Sequence, residues 1–213
     1  MNIRDYKVKA NYQQVNNQIM AESDAAADEF FTKMEGFQIN PDMDVNIFYD
    51  TFSNYACKTN LHLETFLDYV KYWYDKFACY EKLFSQDAEA LTKINKMMHS
   101  GEEVFDTYFY MCEEINKVKD QLLQVIGKLK TEKQQGKTPK DNKLNIELEN
   151  VGNLYLDLVE QMNDFAYNVG GSYLDTCWAV YMADLDIEKA VEDTLQKNKT
   201  TNSNSSTEEC SRI

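Results

Sequence analysis

The stretch from Tyr108 to Val169 constrains this chain most. Apolar residues recur at Tyr108, Met111, Ile115, Val118, Leu122, Val125 and Leu129, and again at Leu148, Val151, Tyr155, Leu158, Met162, Phe165 and Val169. Alternating steps of three and four are the signature of a helix with a single apolar seam. Counted outward from the polar turn between them, the two series keep step: Leu129 with Leu148, Leu122 with Tyr155, Ile115 with Met162, Tyr108 with Val169. An antiparallel pair of helices in one register has this property. The spacing predicts a coiled-coil hairpin with arms at about 102–133 and 144–169. At about 1.5 Å per residue each seam is about 32 Å long, more than a small helical base covers, so part of it should protrude or be buried by another chain.

The rest of the chain is also read as helical. Seven glycines and two prolines in 213 residues are too few for the turns of a sheet protein or the phosphate loops of a nucleotide-binding fold. Apolar periodicity predicts helices at about 5–35, 41–57, 60–84 and 85–99 ahead of the hairpin, and from about 172 after it, with Asp184-Leu-Asp186 placed to break or re-cap the last before 187–197. Asn40-Pro41 reads as the start of the second of these, Ser100-Gly-Glu-Glu103 as a capping box opening the first hairpin arm, and Gly170-Gly171 as the stop of the other arm. Ser172 and Asp175 then re-open a helix. Phe66, Tyr69, Trp73, Phe77, Tyr80 and Phe84 form an aromatic row without surplus basic residues beside it, which favours core packing over base stacking. The expected architecture is therefore all-α, six or seven helices, a compact base and a long hairpin in one domain over 1–197. The polar tail 198–213 is expected to be disordered.

A formal charge of −14 opposes binding of the whole molecule to nucleic acid or anionic lipid. The charge is unevenly spread. Between Lys117 and Lys143 there are eight lysines against Asp120, Glu132 and Asp141, while the remaining chain has 14 basic and 33 acidic residues. Lys128, Lys130, Lys133, Lys137, Lys140 and Lys143 would thus form a basic tip at 128–143, the one place where a phosphate, a membrane surface or an acidic neighbour could be gripped electrostatically.

Motifs for chemistry are sparse. His62 and His99 stand alone, without H-E-x-x-H or Glu-x-x-His spacing, and read as solvated helix-end residues. No G-x-S-x-G, P-loop or G-x-G-x-x-G occurs, and the five cysteines lack any C-x-x-C, so neither a zinc site nor a disulfide framework is expected. Glu103-Val-Phe-Asp106 has E-x-x-D spacing, and the run from Asp186 to Lys199 resembles the closing helix of the MazG-type nucleoside triphosphate pyrophosphatases. That resemblance implies an all-α, Mg-dependent pyrophosphatase with Glu103 and Asp106 as metal ligands. The leading expectation is instead a non-catalytic interaction or assembly protein without a cofactor. Its partner would be a second copy or another protein, as in a virion or other large intracellular complex. Nucleic acid or a membrane surface would be touched through the lysine tip alone. No secretory signal follows Met1, and no run approaches the roughly 18 apolar residues of a membrane span.

Overall fold

The computed structural model describes the backbone of residues 1–8, 12–34, 44–135 and 143–193, and the side chains of all of these except 12–17 and 34. Among the described residues the fold is all-helical, with no strand. Five α-helices make it up: α1 Tyr12–Met34, α2 Val45–Leu83, α3 Ala88–Gln134, α4 Lys143–Phe165 and α5 Gly171–Ala183, with a π-helical turn, Ala166–Gly170, between the last two. Residues 187–193 are helical too. The tail from 194 and the turn at 136–142 lie outside the described residues.

Five helices replace the expected six or seven because expected breaks are absent. The gap near 57–60 lies inside α2. Asn60 is buried there, accepting from the Tyr155 hydroxyl and donating to Asn116 Oδ1, both at 2.9 Å. With its amide occupied by partners on other helices, it does not compete for its own backbone, which is how Asn usually ends helices. The capping box at Ser100 lies in the middle of α3. The working cap is Asp87, whose Oδ1 accepts from the backbone N–H groups of Glu89 and Ala90 at 3.0 Å each. Gly101 serves packing instead: a Cβ there would stand 2.5 Å from Tyr173 Oη.

Gly170 and Gly171 do not stop a helix either. Both take right-handed helical angles, and the Gly171 N–H donates to Ala166 O five residues back, the bond that defines a π turn. At the other end of the chain, α1 begins at Tyr12 rather than near residue 5. The preceding residues are held by tertiary contacts: Ile3 and Tyr6 are buried, and Tyr6 donates to Asp68 Oδ1 at 2.8 Å. α2 is capped by Asp44, which accepts from Asn46 N–H at 2.9 Å, while the Asn40-Pro41 start lies outside the described residues.

Backbone contacts divide the chain into two compact units, with α2 and α3 each contributing to both. Unit 2 comprises Lys9–Phe66 and Tyr108–Asp164. Its centre is aromatic: Phe30 of α1 stacks on Tyr55 of α2 at 4.9 Å, and Phe52 meets the edge of Tyr155 of α4 at 5.3 Å. Ile115, Val118, Leu122, Val125 and Leu129 of α3 are buried in the same unit. On α4 the buried positions are Leu148, Tyr155 and Met162, one row at a spacing of seven, while Val151 and Leu158 are half-buried. Leu122 and Tyr155 line one cavity, and Lys128 Nζ lies 4.0 Å from Glu147 Oε1, so α3 and α4 are neighbours along this stretch. Phe52 and Tyr55 of α2 reach Tyr155 as well, so the middle of the α4 row is covered by α2 of the same chain.

Unit 1 comprises Met1–Val8, Leu67–Thr107 and Phe165–Ile213. The aromatic row of α2 is its core, as its composition suggests: Trp73, Phe77, Tyr80 and Phe84 are buried. Trp73 stacks on Phe77 at 5.7 Å, and Tyr80 stacks on Tyr181 of α5 at 6.1 Å. Lys76 Nζ sits 4.5 Å above the Tyr181 ring, a cation–π contact that closes the edge of this cluster.

Candidate functional site

The lysine tip is only partly gathered. Lys128 is exposed and 4.0 Å from Glu147, Lys130 lies over the Tyr49 ring at 5.4 Å, and Lys143 is the exposed first residue of α4. Lys133 is half-buried, and Lys137 and Lys140 lie outside the described residues. Glu103 and Asp106 are both exposed on α3, and Glu103 Oε1 is 3.4 Å from His99 Nε2. Among the described residues no group of three or more His, Cys, Asp or Glu is placed to hold a metal ion.

Three concavities have defined linings, one of them a wide-open hollow of about 750 Å³ beside the π turn, bordered by Tyr167, Ser172, Asp175 and Ala179 among others. In unit 1 a polar cleft of about 540 Å³ is bounded by Arg4, Lys71, Tyr74, Asp75, His99 and Glu102 among others. Two of its cations are matched internally. Arg4 donates from Nε to the Tyr74 hydroxyl at 3.0 Å and from Nη2 to Glu102 Oε1 at 3.1 Å, and Lys71 Nζ is 2.5 Å from Asp75 Oδ1. Such a cleft clasps the N-terminal segment onto α2 and α3, with its Arg4 and Lys71 each held by a carboxylate.

In unit 2 an apolar groove of about 260 Å³ opens between α1 and α4. Its floor is Phe48 and Phe52 of α2, Leu122 of α3, and Leu148 and Tyr155 of α4. Its walls are Phe30 and Phe31 on α1 and Gly152, Asn153 and Leu156 on α4, with Glu149 at the rim. Phe31 is 51% exposed and Leu156 38%, so apolar surface continues from the groove to solvent. A Cβ at Gly152 would meet nothing within 4 Å, so the missing side chain widens the opening. Beneath it, the buried Tyr155 and Asn60 and the half-buried Asn116 form a hydrogen-bonded chain, ending where Asn116 Nδ2 donates to Cys112 O at 2.9 Å. Burial pushes the Tyr155 phenol far above its usual range, so it stays a neutral donor. The α1–α4 groove was not among the expected sites. Phe31 directly after the core residue Phe30, and a lone glycine inside the α4 periodicity, were the available signals.

The histidines are not at helix ends. His99 is exposed within α3, and His62 is half-buried within α2. Burial lowers the His62 pKa below 6.5, outweighing Asp24, which acts in the opposite direction. The folded chain thus takes up this proton less readily than the unfolded chain, and the His62 contribution to stability is complete above about pH 6.5 and lost as pH falls. His62→Gln should therefore flatten the fall in urea midpoint between about pH 7 and pH 5. An unchanged slope would show that burial at His62 does not oppose its protonation. Cys177 is also buried, its thiol pushed up to about 12, which suits a packing residue rather than a nucleophile.

No family model, no curated protein and no solved structure matches this chain. No helix among the described residues is long and apolar enough to cross a membrane.

Proposed function

We propose that this chain is a non-catalytic helical interaction or assembly protein, with α3 and α4 paired as a coiled-coil hairpin whose α4 side meets a protein partner. The observation that carries this reading is the outer face of α4. Ile146, Leu154 and Leu156 are exposed there, around a helix whose single inner row is already buried. Isolated exposed apolar residues are ordinary, but here Leu156 borders an open apolar groove while Ile146 and Leu154 continue the apolar surface around the solvent side of the same helix, as a contact surface does. A polyanion-binding tip has less support, because Lys128 and Lys130 already engage Glu147 and Tyr49 of the same chain.

The test is affinity isolation after cross-linking in the cells that make the protein, comparing wild type with Ile146→Glu, Leu154→Glu and Leu156→Glu combined. A defined adduct present with wild type and lost with the variant, at unchanged helical content, is the expected result. Identical adducts from both proteins would remove α4 from the interface. Mg-dependent release of pyrophosphate from nucleoside triphosphates, abolished by Glu103→Ala with Asp106→Ala, would overturn the non-catalytic reading altogether.

A further inference from the structure

We infer that the α1–α4 groove is the receptor for one bulky apolar side chain carried by a basic amphipathic helix of the partner. This rests on the interaction reading above and adds to it the docking point and the chemistry of the ligand.

Size is the first argument. A volume of about 260 Å³ falls below the range of about 300–1,000 Å³ typical of small-molecule and cofactor sites, and exceeds the roughly 150 Å³ that accommodates one benzene. One aromatic or large aliphatic anchor suits it. An aromatic floor under an open top, with Phe31 and Leu156 on the lips, resembles a helix-binding groove that takes an anchor residue and covers the apolar row beside it.

Charge gives the sign of the partner. From Leu144 to Phe165, α4 has no basic residue and carries Glu147, Glu149, Asp157, Glu160 and Asp164. Glu149 and Glu160 fall at i−7 and i+4 from Leu156, on its side of the helix. Asp24 and Asp28 lie on the Phe31 side of α1, at i−7 and i−3 from it, and both are exposed. The groove is thus edged by carboxylates on both walls, which repel an acidic helix or an anionic lipid surface and attract lysine or arginine flanking the anchor.

The experiment uses the full chain and a fluorescein-labelled synthetic amphipathic helix of lysine and leucine with one tryptophan in its apolar row, followed by fluorescence anisotropy. Binding should weaken with added salt, fall at least about tenfold when the peptide tryptophan becomes alanine, and fall similarly with Gly152→Trp, which fills the opening. Circular dichroism melts establish that Gly152→Trp is folded, and Gly152→Leu serves as a second plug. Equal binding by wild type and both folded plugged variants would overturn the groove, and so would equal binding of a glutamate version of the peptide. If Leu154→Glu abolishes binding while the plugs do not, the groove inference fails and the α4 interface survives. No peptide binding at all also overturns the inference, while partner isolation judges the broader reading separately. A concentration-dependent dimer abolished by Gly152→Trp would assign the groove to a second copy. A fluorescent fatty acid displaced by the same substitution would assign it to a small apolar ligand.

Discussion

Tyr155→Ala should destabilise unit 2 by about 3–5 kcal/mol, the usual cost of emptying a large buried aromatic site. Tyr155 is fully buried, meets Phe52 at 5.3 Å and Tyr55 at 6.2 Å, and contributes to the floor of the groove. Tyr155→Phe separates packing from hydrogen bonding. It keeps the ring but leaves the buried Asn60 Oδ1 without the Tyr155 donor, an expected loss of about 1–3 kcal/mol. Adding Asn60→Leu to Tyr155→Phe should cost less than the two single changes together. The reason is that both ends of the broken bond are then apolar, and Asn116 Oδ1 still accepts from Lys119 Nζ at 2.9 Å. Urea titrations followed at 222 nm would measure this. Strict additivity would mean that the Tyr155–Asn60 bond contributes nothing specific.

Gly101→Val should be the second large effect, and its sign is opposite to that expected of a glycine in a helix. Replacing a mid-helix glycine ordinarily gains up to about 1 kcal/mol. Here even a Cβ would lie 2.5 Å from Tyr173 Oη and 3.2 Å from Cζ, and Tyr173 is buried, so its ring has little room to withdraw. Overpacking of this kind costs about 1–3 kcal/mol and should dominate. Gly101→Ala should fall between, and Tyr173→Phe in the same chain should recover part of the loss by removing the nearest atom. Gly127→Ala and Gly152→Ala provide the contrast, since nothing lies within 4 Å of either Cβ position. Those two should raise the melting temperature. Stabilisation by Gly101→Ala would contradict the close approach of Tyr173.

These two residues mark where the sequence was legible and where it was not. The helical class follows from periodicity and from the poverty of glycine and proline, and the aromatic row of α2 is core because no basic surplus accompanies it. The helix boundaries were less legible. Asn60, Ser100, Gly101 and Gly170 carry the local chemistry of breaks, yet each lies within a helical segment, and for Asn60 and Gly101 a distant residue sets the role. Tyr155 and Asn116 occupy the Asn60 amide, and Tyr173 occupies the space beside Gly101. Single-sequence patterns hold no record of such partners. The groove was hidden for the same reason. Phe31, Phe48, Leu122 and Leu156 sit on four helices, and their convergence depends on tertiary packing. Of the candidate lysines, charge alone predicted a cluster, but it could not show that Tyr49 and Glu147 would lie beside two of them.

The π turn at Ala166–Gly170 sets which side of α5 faces inward. A π turn amounts to one residue inserted into an α-helix, and each residue in an α-helix advances the direction of its side chain by about 100°. Tyr173 and Cys177 point inward in α5, while Trp178 is 55% exposed and Met182 63%. Were the same residues in plain α geometry, α5 would be turned by one position: Ser172 and Thr176 would take the places of Tyr173 and Cys177, and the hollow kept open by Gly101 would face the wrong side chain. The wide turn takes up the extra residue without that rotation, so deleting one residue from 166–170 should leave an unbroken α-helix with Tyr173 and Cys177 still facing inward.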